Sequence, residues 1–87
     1  MIIKKFKIRE PGGIGIRAAA AFVCGVGKYS SEIIISAKSK NYNGKSLRDI
    51  MSAGLDYGAQ ISVICRGDDE EAAIQKINNI LGGDGGL

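Results

Sequence analysis

Residues 2–9 alternate in character. Ile2, Lys4, Phe6 and Ile8 fall on one side and Ile3, Lys5, Lys7 and Arg9 on the other. That period of two predicts a half-buried strand, with Phe6 and Ile8 as its firmest core positions. Pro11 and the glycines after it stop the strand. From Ile16 to Val26 the period lengthens: Ala19, Phe22, Val23 and Val26 recur at helical spacing and form a core-facing stripe. Gly15 stands at the N-cap of this helix, and Gly25 and Gly27 mark its end, Gly27 suiting a left-handed terminal residue. A β-branched run within Glu32–Ala37 predicts a second strand, followed by a turn near Lys38–Lys40 and a short strand at Asn41–Asn43. Ser46 to Ala53 reads as a short helix, with Ser46 three residues before Asp49 in the spacing of a capping box. Gly54 and Gly58 bracket a turn. Ile61, Val63 and Cys65 then alternate with Ser62, Ile64 and Arg66 as a last strand. The carboxylates of Asp68 to Glu71 open a final helix, where the dipole favours them, and Ala73, Ile74, Ile77, Ile80 and Leu81 form its buried stripe. Strand, helix, strand, strand, helix, strand, helix is the order of an α+β layer: an open sheet with helices on one face. Residues 1–82 are expected to form one domain and 83–87 a flexible glycine-rich tail.

Composition narrows the chemistry mainly by what it lacks. The chain contains no histidine. A Ser-His-Asp triad, a Cys-His pair, a histidine metal site and a phosphohistidine are therefore excluded for this chain alone. Cys24 and Cys65 have no CxxC spacing and supply too few ligands for a metal, so no metal or cofactor is expected, and two isolated thiols fit a reducing cytoplasm. The net charge of +3 is too small to imply direct nucleic-acid binding and reads as a solvated basic surface. The longest apolar run, Ala18 to Cys24, is too short to span a bilayer, and the charged start has no cleavage pattern behind it, so neither membrane insertion nor a signal peptide is expected.

One stretch nonetheless has the form of a site. Between the first strand and the first helix lies Gly12-Gly13-Ile14-Gly15-Ile16-Arg17. Its glycines leave backbone amides uncovered at the positive end of a helix, and Arg17 adds a fixed charge, which makes a candidate anion site. Gly13 to Ala18 also spells GxGxxA, a dinucleotide fingerprint, but that motif requires a parallel βαβ unit, and here a hairpin stands where the next crossover should be. Cys24 is a nucleophile by type, yet it lies mid-helix, two turns from those amides. Cys65 falls on the core face of its strand and reads as structural.

The glycine turn with Arg17, Lys28-Tyr29, Asn43-Gly44-Lys45-Ser46, Met51-Ser52-Ala53-Gly54, Gly58-Ala59 and Gly67-Asp68-Asp69-Glu70 occur in one order over one domain. In this the chain resembles the HPr family, the phosphocarrier of the bacterial sugar phosphotransferase system and its regulatory relatives. The resemblance implies an open-faced β-sandwich, four antiparallel strands in the spatial order first, fourth, second, third, covered by three helices. It also implies that a histidine at the N-cap of the first helix carries a phosphoryl group, that an arginine two residues on neutralises it, and that in many members a serine at the second helix is phosphorylated. Aligned on Lys28-Tyr29, Gly15 stands at the histidine position. Arg17 is kept, and Ala18 replaces the usual proline.

The resemblance therefore implies a regulatory or protein-binding domain, not an enzyme and not competent for histidine phosphoryl transfer, similar in that respect to the catabolite-repression HPr-like proteins. Arg17 and Ile16 are its expected anion- or partner-binding residues, with Leu47 and Met51 as the apolar part of the docking patch. Ser46 is first a helix cap and second a regulatory phosphorylation site linked to carbon metabolism, although Arg48 and Asp49 depart from the family's small and apolar residues there. Expected partners are a phosphotransferase-system enzyme, an HPr kinase or a transcriptional regulator. The alternatives are a phosphocarrier that uses a residue other than histidine, and a repurposed paralogue with an unrelated partner. Separately, Ile3, Ile34 and Ile64 should line the open sheet face as an apolar stripe suited to a homodimer.

Overall fold

A computed structural model describes residues 1–82; the expected tail lies outside them. The elements are β1 (Ile2–Lys7), α1 (Ile16–Val26), β2 (Glu32–Ala37), β3 (Lys40–Asn43), α2 (Leu47–Ser52), β4 (Gln60–Arg66) and α3 (Glu70–Ile80). The four strands form one antiparallel sheet in the order β1-β4-β2-β3. The sheet contains no adjacent parallel pair, which removes the dinucleotide reading of Gly13–Ala18.

Alternation decides which face of the sheet is covered. Phe6 on β1, Ile33, Ile35 and Ala37 on β2, and Ile61, Val63 and Cys65 on β4 are buried against Ala19, Phe22 and Val26 of α1, Ile50 of α2, and Ala73 and Ile77 of α3. The side chains between them face outward. This is the open-faced β-sandwich, with three helices on one face. No helix among the described residues is long and apolar enough to cross a membrane.

Three local readings are corrected. Gly27 ends α1 in a right-handed conformation, φ −63°, with its N–H donating to Val23 O, so no left-handed cap is needed there. Gly25 does not end the helix; it lies inside it, at the contact with α3. A β-carbon at that position would lie 2.8 Å from Ile80 Cδ1, so a larger residue there would require the Ile80 side chain to shift. The first strand is also shorter than its alternation, yet Ile8 continues the pattern beyond it. Its N–H donates to Ala59 O and its carbonyl accepts from Gly58 N–H, each at 2.8 Å.

The largest departure concerns Asp69. It stands at the N-cap of α3 but makes no side-chain cap bond to its own helix. Its carboxylate instead accepts the backbone N–H groups of Ser30 and Ser31, each at 2.9 Å, and the hydroxyl of Ser31, the one buried polar residue of the described chain. The start of β2 is thereby tied to the start of α3. Gly67, at φ +153°, makes room for this contact, since a β-carbon there would lie 2.7 Å from Ser31 Cα.

The Ser31 hydroxyl and then the Ser30 amide hold the Asp69 carboxyl down at about 2. The ordinary aspartate value is ~3.9. Because the folded value is the lower one, Asp69 stabilises the fold above pH ~4, and that contribution is lost as pH falls from ~4 to ~2. Acid titration followed by circular dichroism should therefore show wild type more stable than Asp69→Asn at neutral pH, with the gap closing across that window. A gap that stays constant with pH would assign the effect to packing.

Candidate functional site

The turn into α1 is positioned from outside. Gly12 and Gly13 have φ of +82° and +85°, a conformation that suits glycine. Gly13 is buried against the loop between α2 and β4; a β-carbon there would meet Leu55 O at 2.8 Å. Ile14 N–H donates to the same Leu55 carbonyl at 2.8 Å. The chain thus leaves the clamp at Ile14 and enters α1 with a fixed direction. Gly15 is the N-cap, extended at φ −86° and ψ −171°, with its carbonyl accepting Ala19 N–H at 2.9 Å. Nothing lies within 4 Å of where its side chain would be. The position is open and carries no functional group.

Beyond it, Ile16 is 64% exposed, too exposed to serve the core. Arg17 is also exposed, and among the described residues its guanidinium pairs with no carboxylate. The first turn of α1 contains no acidic residue, so the positive helix end is not neutralised within its own helix.

The second group of expected residues is on α2, which packs beside α1. Ser46 is its N-cap, extended at φ −110° and ψ 118°, and its hydroxyl accepts Asp49 N–H at 3.2 Å. The reciprocal half of a capping box is absent. Asp49 reaches past the cap, and its carboxylate accepts Asn43 N–H at 2.8 Å. Leu47 and Met51 are outward, 37% and 41% exposed. Lys45 turns the other way and donates to the carbonyl of Tyr29, joining the loop before α2 to the segment after α1.

Neither cysteine adds chemistry to this surface. Cys24 is exposed on the third turn of α1, away from the helix start. Cys65 is fully buried, and burial, followed by the charges of Glu70 and Asp69, raises its thiol pKa. A buried thiol held protonated is a packing group.

Sequence reasoning missed the part played by Leu55–Ala59. The segment reads as a turn between two glycines, but it supplies the carbonyl that clamps Ile14 and carries Tyr57, 67% exposed, on the same loop. The usable signal was an aromatic residue between turn formers, Asp56-Tyr57-Gly58, where no core position is predicted. On the opposite face, Ile3 pairs with Ile64 and Ile64 with Ile34 across β1, β4 and β2. The apolar stripe is contiguous, and Ile3 is 58% exposed.

Residues 2–82 match the family model described as the PTS HPr component phosphorylation site. The chain is 38% identical over 81 residues to the phosphocarrier protein HPr of Buchnera aphidicola, covering 93% of this chain and 95% of that protein. It is 30% identical over 77 residues to the HPr-like protein Crh of Bacillus subtilis, covering 88% and 91%. The crystal structure of HPr-C-His from Thermoanaerobacter tengcongensis superposes with a TM-score of 0.90 at 34% identity, covering 94% of this chain and 92% of that one. Similar solved structures include dimers of both HPr and Crh.

The Ser46 cap bond generates a stability prediction that is independent of function. Ser46→Ala removes the acceptor of Asp49 N–H and should cost ~1 kcal/mol in urea denaturation. Ser46→Asp, which keeps an acceptor, should recover most of that loss.

Proposed function

The chain belongs to the HPr family, and from that premise we propose that it is a regulatory, protein-binding member that passes no phosphoryl group through histidine. The observation that carries this reading is the absence of histidine from a chain whose match covers 95% of the Buchnera aphidicola HPr and 91% of the Bacillus subtilis Crh. The remaining features of the turn into α1 support binding without transfer. Gly15, at the position that the family resemblance gives to histidine, has no atom to bond phosphorus. Arg17 offers a charge unpaired among the described residues beside exposed Ile16, and Leu47 and Met51 extend an apolar surface on the neighbouring helix. A partner carrying a carboxylate or phosphate beside an apolar side chain fits this arrangement.

Regulation enters through Ser46. A phosphate there would sit at the start of α2, where the dipole favours negative charge. It would have to release Asp49 N–H and would stand one turn from the Asp49 carboxylate, which the Asn43 amide already engages. The similarity to Crh, whose structure is named for catabolite repression, supports a role in control of carbon metabolism through this serine.

Phosphoenolpyruvate and enzyme I should leave the wild-type chain unlabelled, and Gly15→His, placed in open space, should gain label. Label on the wild type would overturn the reading in favour of a carrier that uses another residue. With an HPr kinase and ATP, mass spectrometry should find one phosphoryl group on Ser46 and none on Ser46→Ala.

A second copy of the chain is the proposed occupant of the open sheet face. The contiguous Ile3–Ile64–Ile34 stripe favours it, and the dimers among similar structures support self-association without specifying this face. Analytical ultracentrifugation should show a dimer for wild type and a monomer for Ile64→Lys. A monomeric wild type would remove this part of the proposal.

A further inference from the structure

The helical layer does not fill the space under the first half of α1. A cavity of ≈ 360 Å³ opens there, between α1, the end of α3 and the sheet. Its origin is visible in the sequence of α1, where the positions that line the cavity include Ala18 and Ala21, whose short side chains leave space above Ile35 and Ile61 of the sheet. Ile80 closes the α3 side. Every lining residue is apolar except Glu10 and Arg17, which come from the turn and the first turn of the helix.

This combination has the character of a small-ligand site: a preformed apolar volume within the usual size range, with a few charged groups that fix orientation. The two charges are not equivalent. Arg17 is mounted on a helix, one turn before Ala21 on the same face, and stands at the end where the dipole favours an anion. Glu10 is on the turn, where its charge opposes an anion and would weaken its binding. We propose that the cavity binds a small amphipathic carboxylate, with an apolar chain of about six to eight carbons between α1 and α3 and its head group on Arg17. This does not depend on the protein partner proposed above, because binding is measured on the isolated chain. If both hold, the ligand and the partner compete for Arg17.

Sodium octanoate, titrated below its micellar range into the full chain, is the probe, read by calorimetry and by the methyl resonances of Ile14 and Ile80. Saturable binding of one octanoate per chain is expected. Hexanoate should bind more weakly by about fourfold for each methylene removed. Arg17→Gln should weaken octanoate about fivefold, and Glu10→Gln should tighten it. Ala18→Leu should narrow the cavity and weaken binding. Because that variant also alters a core-facing position, Ala21→Leu, at an exposed position on the rim, gives an independent block, and circular dichroism checks both folds. Absence of saturable binding would overturn the proposal. So would affinity indifferent to chain length, affinity unchanged in both leucine variants, or tighter binding of octylammonium than of octanoate.

Discussion

The small-residue face of α1 is the constraint on which the rest of this structure depends. Ala19 is fully buried over the sheet, and at Gly25 the Ile80 side chain of α3 occupies space that a β-carbon would contest. Close approach on that side brings α1 and α3 into contact and leaves α2 to pack along the other flank. The same shortness leaves the space beneath Ala18 and Ala21 unfilled. Small residues along α1 thus set both its close approach to α3, at Gly25, and the cavity beside Ala18 and Ala21. Packing density elsewhere in such a core tolerates few voids, which makes the location of this one informative.

The turn before α1 separates architecture from chemistry. Its path is fixed by Gly13 against Leu55 and by the amide of Ile14, and neither contact involves the side chain at position 15. A helix start held in this way retains its electrostatic character whatever stands at its cap. What it loses without a nucleophile is the ability to form a bond. What it keeps is orientation, a positive field and an uncovered Arg17, which are the properties of a recognition surface.

Most of the fold was legible because alternation and helical spacing are local. Each expected element is present, with ends shifted by one or two residues in β1, β3 and α2, and Phe6, Ile8, Ala19, Phe22 and Val26 are buried as their spacing required. The strand order came only through the family resemblance, since no local pattern says that β4 lies between β1 and β2. Two of the misreadings share one cause. Asp69 and Gly25 each have a conventional helix-end explanation, and each is used for a contact with residues distant in sequence: Asp69 with Ser30 and Ser31, Gly25 with Ile80. For the site, residue types and burial of Ser46, Leu47 and Met51 could be anticipated, while the clamp from Leu55 and the exposure of Tyr57 depend on tertiary placement.

The position of β4 has a consequence for the order in which the molecule is assembled. β1 is made first but pairs only with β4, the last strand in the chain. The β2–β3 hairpin, closed by a two-residue turn in which Lys38 and Ser39 both take positive φ, can form from neighbours alone. Ile2 to Lys7 cannot. During synthesis this segment, with Ile2, Ile3 and Phe6, must wait as an unpaired strand until Gln60–Arg66 leaves the ribosome, and its pairing carries the largest loop-closure cost in the sheet. Lys4, Lys5 and Lys7 fall within that waiting segment, where their mutual repulsion opposes premature association between nascent chains.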